Sequence, residues 1–191
     1  MTSELLSQSE LLIVEETTGK INSINIDGLY LGQALKSFFN AVPGDVARNK
    51  IIQIIDQNGI KDDQWYDINQ ARLLYYYIGI TYGPATIARV GYDIINAAIF
   101  PDFINDPTSA LQSIDAAYKM NTKGENLGGI STEIISHSEM NLTFTTPFPC
   151  NLDIGIMKGC TAKYGKHATV KHISETCRDN GDGECQYHVS Y

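Results

Sequence analysis

The four cysteines of this 191-residue sequence all lie in its last quarter, at positions 150, 160, 177 and 185. The N-terminus is acidic and does not resemble an export signal, so we expect a cytoplasmic protein whose thiols stay reduced. Clustered, reduced cysteines are typical of metal sites, redox centres or apolar cores. The cysteines are therefore the first candidates for chemistry.

The spacing of the last two cysteines indicates a metal site on a β-hairpin. If residues 168–177 and 185–191 pair symmetrically about Gly181, Cys177 lies opposite Cys185 and Glu175 shares their face of the sheet. Opposed Cβ atoms about 5 Å apart allow both sulfurs to bind one tetrahedral zinc ion. A third thiol precedes the helix that connects two hairpins. The predicted ligands are Cys150, Glu175, Cys177 and Cys185.

Two other interpretations of these cysteines stay open at this point. Opposed cysteines form a disulfide in an oxidising compartment, and buried thiols also serve as small apolar core residues. The Cys-x7-Cys spacing is not that of a standard zinc knuckle. The same register places His172 and His188 on the opposite face of the sheet, where we expect exposed side chains rather than ligands.

Charge and hydropathy exclude two classes of partner. The sequence has 14 Lys and Arg against 22 Asp and Glu, a net charge of −8, and its basic residues are scattered. We therefore expect no nucleic-acid partner. The apolar runs are far shorter than the roughly 20 residues that a membrane-spanning helix needs, so we expect no membrane span.

Hydrophobic periodicity predicts helices in the first two thirds of the chain and strands in the last third. We expect an N-terminal arm or helix over residues 1–20 and a single ligand-binding domain over 21–191. The fold class is α+β, with about five helices packed on one face of a four-stranded antiparallel sheet built as hairpin, helix, hairpin. The predicted helices are 27–39, 45–58, 67–82, 85–100 and 106–120, and the C-terminal elements are strands 130–137 and 140–146, helix 152–164, and strands 168–177 and 185–191.

Several motifs resemble a group of bacterial proteins that is itself similar to the 4-vinyl reductase-type domain superfamily. Relatives of that superfamily by fold include haem-based nitric-oxide sensors, TRAPP tethering subunits and the sensor domains of aromatic-responsive activators. The resemblance covers residues 25–191. The motifs that carry it are PFPCNLDIGI at 147–156, CRDNGDGECQY at 177–187, Trp65-Tyr66, Gly83-Pro84, Gly91 and SIDAAY at 113–118.

The resemblance implies helices packed on an antiparallel sheet around an interior pocket, and a structural zinc ion near the final turn. Cys150, Cys177 and Cys185 match the thiol positions of that zinc site, whereas the carboxylate position of the family falls near Ser174, one residue from Glu175. We do not expect haem, because the Tyr-x-Ser-x-Arg motif of the nitric-oxide sensors is absent and residues 106–120 contain no histidine. No pocket residue can be carried over.

Together these observations predict a non-enzymatic sensor or carrier domain for a hydrophobic or aromatic small molecule. The domain would signal through a homodimer or a separate partner. An alternative is an interaction module similar to the TRAPP subunits, with a vestigial pocket. A third is an accessory to a reductase or a haem-based gas sensor. We rank enzymatic activity last, since no set of acid, base and nucleophile can be assembled from the sequence.

Overall fold

A computed structural model describes residues 16, 25–37, 41–42, 44, 48–49 and 59–191. Apart from a few positions, the predicted N-terminal arm over residues 1–20 and the predicted helix over residues 45–58 lie outside the described residues. The strands are β1 (Gly28–Leu31), β2 (Trp65–Asp67), β3 (Thr122–Gly124), β4 (Ile130–Ser136), β5 (Glu139–Phe144), β6 (Thr169–His172) and β7 (Cys185–Ser190). The helices are α1 (Gly32–Leu35), α2 (Ile68–Tyr82), α3 (Pro84–Ala97), α4 (Pro107–Gln112), α5 (Ile114–Met120) and α6 (Cys150–Ala162).

The larger sheet confirms the predicted α+β class and the order hairpin, helix, hairpin. Its four antiparallel strands run in the order β4-β5-β7-β6, and α6 connects the two hairpins. Alternate side chains of the two central strands are buried in one core cluster with residues of α6. Those strand residues are Met140, Leu142, Phe144, Cys185, Tyr187 and Val189.

The last hairpin differs from the predicted register. His172 pairs with Tyr187 and Thr169 with Ser190, so Cys177 is not opposite Cys185 in the ladder. Strand β6 ends at His172. Beyond it, the N–H of Gln186 donates to the Ser174 hydroxyl instead of a backbone carbonyl oxygen, because the side chain competes with the ladder for this donor. Residues 173–184 form a loop with a 3₁₀ turn at Arg178–Asn180.

A second, three-stranded sheet was not predicted. Its order is β2-β1-β3, and β1 lies where the periodicity predicts the start of a helix. The cause is tertiary packing, since Tyr30 of β1 and Tyr66 of β2 are buried in the core and β1 pairs with strands distant in sequence. Among the described residues of that stretch, the four residues of α1 are α-helical and residues 36–37 continue them as a 3₁₀ turn.

The predicted helices between residues 67 and 120 are observed, with one interruption. Asp67 caps α2 by accepting the N–H of Asn69 at 2.8 Å, and Asp106 caps α4 through a capping box. The helix predicted over 106–120 is interrupted at Ser113 and forms α4 and α5. Asp115 of α5 accepts the N–H of Ile130, which ties this helix to the start of β4.

Glycines bring α3 and α6 into backbone contact. A Cβ atom on Gly155 would lie 1.9 Å from the carbonyl oxygen of Ala88, and one on Gly91 would lie 2.1 Å from that of Leu152. No side chain fits between these helices at those points. The described residues contain no helix that is long and apolar enough to cross a membrane.

Candidate metal centre and ligand cavity

Three thiols meet at the N-terminal end of α6, on the helix-covered face of the larger sheet. The Sγ atom of Cys150 lies 3.0 Å from that of Cys185 and 3.4 Å from that of Cys177, and all three sulfurs are within 4.8 Å of one another. Sulfurs bound to one tetrahedral zinc ion at about 2.3 Å are about 3.8 Å apart. The three sulfurs are therefore close enough together to bind one zinc ion, which would hold them slightly farther apart than they lie here.

Cys177 lies in the cluster because of the path of loop 173–184, and it is not part of the β-ladder. The Asp182 carboxylate accepts the N–H of Cys177 at 2.8 Å, and the Asp179 carboxylate accepts the N–H of Cys150 at 3.1 Å. Asp179 thus caps the first residue of α6 from a distant part of the chain. The cap was not predicted, because Asp179 is 29 residues from Cys150 in the sequence and leaves no local signal before the helix.

The thiols differ in their tendency to ionise. Burial opposes a charge on Cys185, but hydrogen bonds from the Cys150 thiol, the Arg178 N–H and His172 outweigh it and lower the pKa of Cys185 to about 6. Burial and the Cys185 sulfur together raise the pKa of Cys150 far above the usual range. The pair of sulfurs, 3.0 Å apart, therefore loses its first proton more readily from Cys185 than from Cys150.

The other residues singled out from the sequence lie as follows. Glu175 is exposed and does not belong to the thiol cluster. His172 is exposed, as expected. The expectation that it faces away from the cysteines is wrong, because the observed register puts His172 on the face of Tyr187 and Cys185, with its ring 5.2 Å from that of Tyr187. Cys160 is buried in α6 outside the cluster.

A buried ion pair adjoins the cluster. The guanidinium of Arg178 contacts the carboxylate of Asp153, and both side chains are at most 5% exposed. Burial opposes the charge on Arg178, but the Asp153 carboxylate outweighs it and raises the pKa of Arg178. This pair was not predicted from the sequence. The local feature that points to it is Arg178 itself, a cation directly after Cys177.

An apolar cavity of about 550 Å³ lies between α3, α4, α5, α6 and the larger sheet. This volume is within the range of sites for cofactors and other small molecules. Asp153 lies in the wall, and apolar side chains make up most of the rest. Three wall residues, Ile99, Phe103 and Met120, are more than three quarters exposed, which gives the cavity an apolar mouth.

The wall carries four side chains of types that can hold haem iron: Tyr30, Tyr118, Met120 and Cys160. All four histidines of the sequence lie in the described part of the chain, and none lines the cavity. The cavity volume and the apolar wall fit a porphyrin ring. An iron bound here would thus take a tyrosine, methionine or cysteine ligand from these four.

Comparisons with known proteins identify the fold. No family model matches the chain, and no curated protein matches it. An H-NOX protein from S. oneidensis in the Fe(II)NO ligation state aligns with a TM-score of 0.65 and 14% identity over 84% of this chain and 98% of that chain. An unliganded Fe(II) mutant of an H-NOX protein from K. algicida aligns with a TM-score of 0.65 and 14% identity over 84% and 95%. A mutant of T. tengcongensis H-NOX aligns with a TM-score of 0.63 and 13% identity over 83% of this chain and 93% of that chain.

These comparisons correct one expectation and support part of another. Two further similar structures concern haem redox potential and haem distortion, and they contradict the expectation that haem is unlikely in this chain. The haem nitric-oxide sensor part of the resemblance is supported, whereas the 4-vinyl reductase, TRAPP and aromatic-activator parts receive no support. The homodimer and the aromatic ligand receive none either. The described chain has the H-NOX fold.

Proposed function

We propose that this chain is a sensor domain that binds one large apolar ligand in the cavity between its helices and the larger sheet. The observation that carries the proposal is the cavity itself, whose volume of about 550 Å³ and apolar wall suit a porphyrin-sized molecule. The H-NOX fold supports haem as the first ligand to test. We propose, as the sequence predicts, that the domain is not an enzyme and signals through a partner.

The test is a titration of the purified protein with hemin, followed by the haem absorbance near 400 nm. Two neighbouring alanines give a matched pair: Ala98 lines the cavity, whereas Ala97 is exposed and does not. We expect saturation at one hemin per chain for the unchanged protein and for Ala97→Trp, and at least tenfold weaker binding for Ala98→Trp. Equal binding by both variants would place the hemin outside the cavity.

The uncharged dye Nile red provides the second arm of this test. Binding of Nile red but not hemin, with the same dependence on Ala98, would keep the cavity as the ligand site and change the ligand class from haem to an uncharged apolar molecule. If hemin binds, Cys160→Ala and Tyr118→Phe should distinguish the iron ligands by a shift of the absorbance maximum. Binding of neither probe would remove the support for a sensor domain.

We also propose that the thiol cluster of Cys150, Cys177 and Cys185 binds a structural zinc ion. The mutual approach of the three sulfurs supports the proposal. A fourth ligand is needed for a closed tetrahedral site. Glu175 is the ligand predicted from the sequence, and His172 is the alternative that the observed register favours, because it places His172 on the same face of the sheet as Cys185.

Elemental mass spectrometry on protein purified without a metal-affinity tag tests this site. We expect about one zinc per chain in the unchanged protein and in Cys160→Ser, which removes a buried thiol outside the cluster. Cys177→Ser and Cys185→Ser should lose the metal. Comparison of Glu175→Gln with His172→Gln identifies the fourth ligand. Less than a tenth of an equivalent in the unchanged protein would leave the thiols as core residues.

A further inference from the structure

Arg178 links the two proposed sites, and its side chain is anchored on the cavity wall. The guanidinium contacts the carboxylate of Asp153 and the carbonyl oxygen of Thr146, and it donates to the Thr146 hydroxyl at 2.8 Å. It also lies 5.9 Å from the ring centroid of Phe144. Asp153, Thr146 and Phe144 all line the cavity.

The backbone of the same residue belongs to the thiol cluster. The N–H of Arg178 donates to the Sγ atom of Cys185 at 3.2 Å, and the residue directly follows Cys177. A metal bound to Cys177 and Cys185 would thus restrict the Arg178 backbone through two connections, the peptide bond to Cys177 and the hydrogen bond to Cys185. The Arg178 side chain would in turn restrict the residues of the cavity wall that it contacts.

Tyr187 provides a second connection between the same two sites. Its hydroxyl lies 3.3 Å from the carbonyl oxygen of Cys150 and 3.2 Å from the Asp153 carboxylate. Its ring packs against that of Phe144 at 5.5 Å. Tyr187 therefore connects Asp153, the polar residue of the cavity wall, with the backbone of Cys150, a member of the thiol cluster.

We propose that metal at the thiol cluster strengthens ligand binding in the cavity through the Arg178 and Asp153 pair. This inference rests on both sites of the proposed function. The physical reason is that the metal restricts loop 173–184, and a fixed loop holds Asp153 and Thr146 in one arrangement before the ligand arrives. By linkage, the ligand must strengthen metal binding by the same factor.

The experiment measures Nile red affinity by fluorescence in the zinc-loaded protein and after removal of zinc with EDTA. Nile red is preferred to hemin here because hemin iron can bind thiolates directly. We expect about tenfold tighter binding in the zinc-loaded state, within the usual range of coupling between sites. A competition titration with a chromogenic chelator, with and without Nile red, should give the same factor for zinc.

Variants test the route of this coupling. Arg178→Gln and the milder Asp153→Asn should reduce the zinc effect on Nile red affinity to less than twofold, whereas Lys158→Gln, an exposed charge on α6, should leave it unchanged. Circular dichroism and the zinc content establish that each variant is folded and loaded. Arg178→Gln removes the cation of the ion pair and Asp153→Asn removes its anion. If Arg178→Gln does not fold, Asp153→Asn still provides the test.

The outcomes separate this inference from the proposals beneath it. One zinc per chain, normal Nile red binding and no difference between the two metal states would overturn the coupling alone. A zinc effect that persists in both link variants would overturn the route through Arg178. Absence of zinc overturns the thiol site, and absence of dye binding overturns the cavity site, and either result overturns the coupling that rests on it.

Discussion

Replacement of Gly155 by alanine tests whether the contact between α3 and α6 determines the stability of the fold. A Cβ atom there would lie 1.9 Å from the Ala88 carbonyl oxygen and 2.9 Å from the Tyr92 nitrogen, whereas ordinary van der Waals contact begins at 3.4 Å. Both neighbours are backbone atoms, so relief requires the helices to separate by about 1.5 Å. Such overpacking costs about 3 kcal/mol, at the upper end of the usual range.

The better helix propensity of alanine offsets about 1 kcal/mol of this cost. We therefore expect the free energy of unfolding of Gly155→Ala to fall by about 2 kcal/mol. In a protein of this size, that corresponds to a loss of roughly 4–8 °C in the melting temperature. Urea unfolding followed by circular dichroism measures the change.

Gly79 is the matched control for this prediction. It also lies inside a helix, α2, but a Cβ atom there would meet only the Ile87 side chain, at an ordinary distance of 3.5 Å. Gly79→Ala should stabilise the protein by up to about 1 kcal/mol, because only the propensity gain acts. Equal stabilisation by Gly155→Ala would refute the close contact between α3 and α6.

Three further predictions concern charge and metal. Arg178→Met should lower the free energy of unfolding by about 3–5 kcal/mol, since it leaves Asp153 buried without its partner; urea unfolding measures this. Burial tends to raise the pKa of Asp115, but hydrogen bonds from Lys119 and the Ile130 N–H hold this pKa below its usual value. The ionised Asp115 therefore stabilises the fold fully above about pH 4, and this stabilisation is lost as the pH falls below that value. Asp115→Asn should thus cost about 1 kcal/mol at pH 7 and less at pH 3. EDTA should lower the melting temperature of the unchanged protein and not of Cys185→Ser, as calorimetry can show.

The sequence predicted the helices and central strands well because their signals are local. Asp67 and Asp106 are caps next to the helices that they begin, and alternation along β5 and β7 marks one buried face. In each case the physical cause acts within a few residues.

The missed features have causes that are distant in sequence. Strand β1 of the second sheet depends on partners at residues 65–67 and 122–124, which local periodicity does not reveal. The register of the last hairpin depends on the Ser174 and Asp182 side chains, which take backbone donors that a ladder would use. The three thiols still meet, because the loop returns Cys177 to Cys185 by another path. Their role as metal ligands stays a prediction.

A buried ion pair between two candidate sites is weak evidence for stability, since apolar pairs of similar volume are often at least as stable. The double variant Arg178→Met with Asp153→Leu should therefore recover most of the stability that Arg178→Met loses. It should not recover the effect of zinc on Nile red affinity, because that effect requires the polar link to Thr146 and the Asp153 carboxylate. A double variant that is stable and still responds to zinc would show that the pair serves packing only. One that is stable and unresponsive would separate the function of the pair from its contribution to folding.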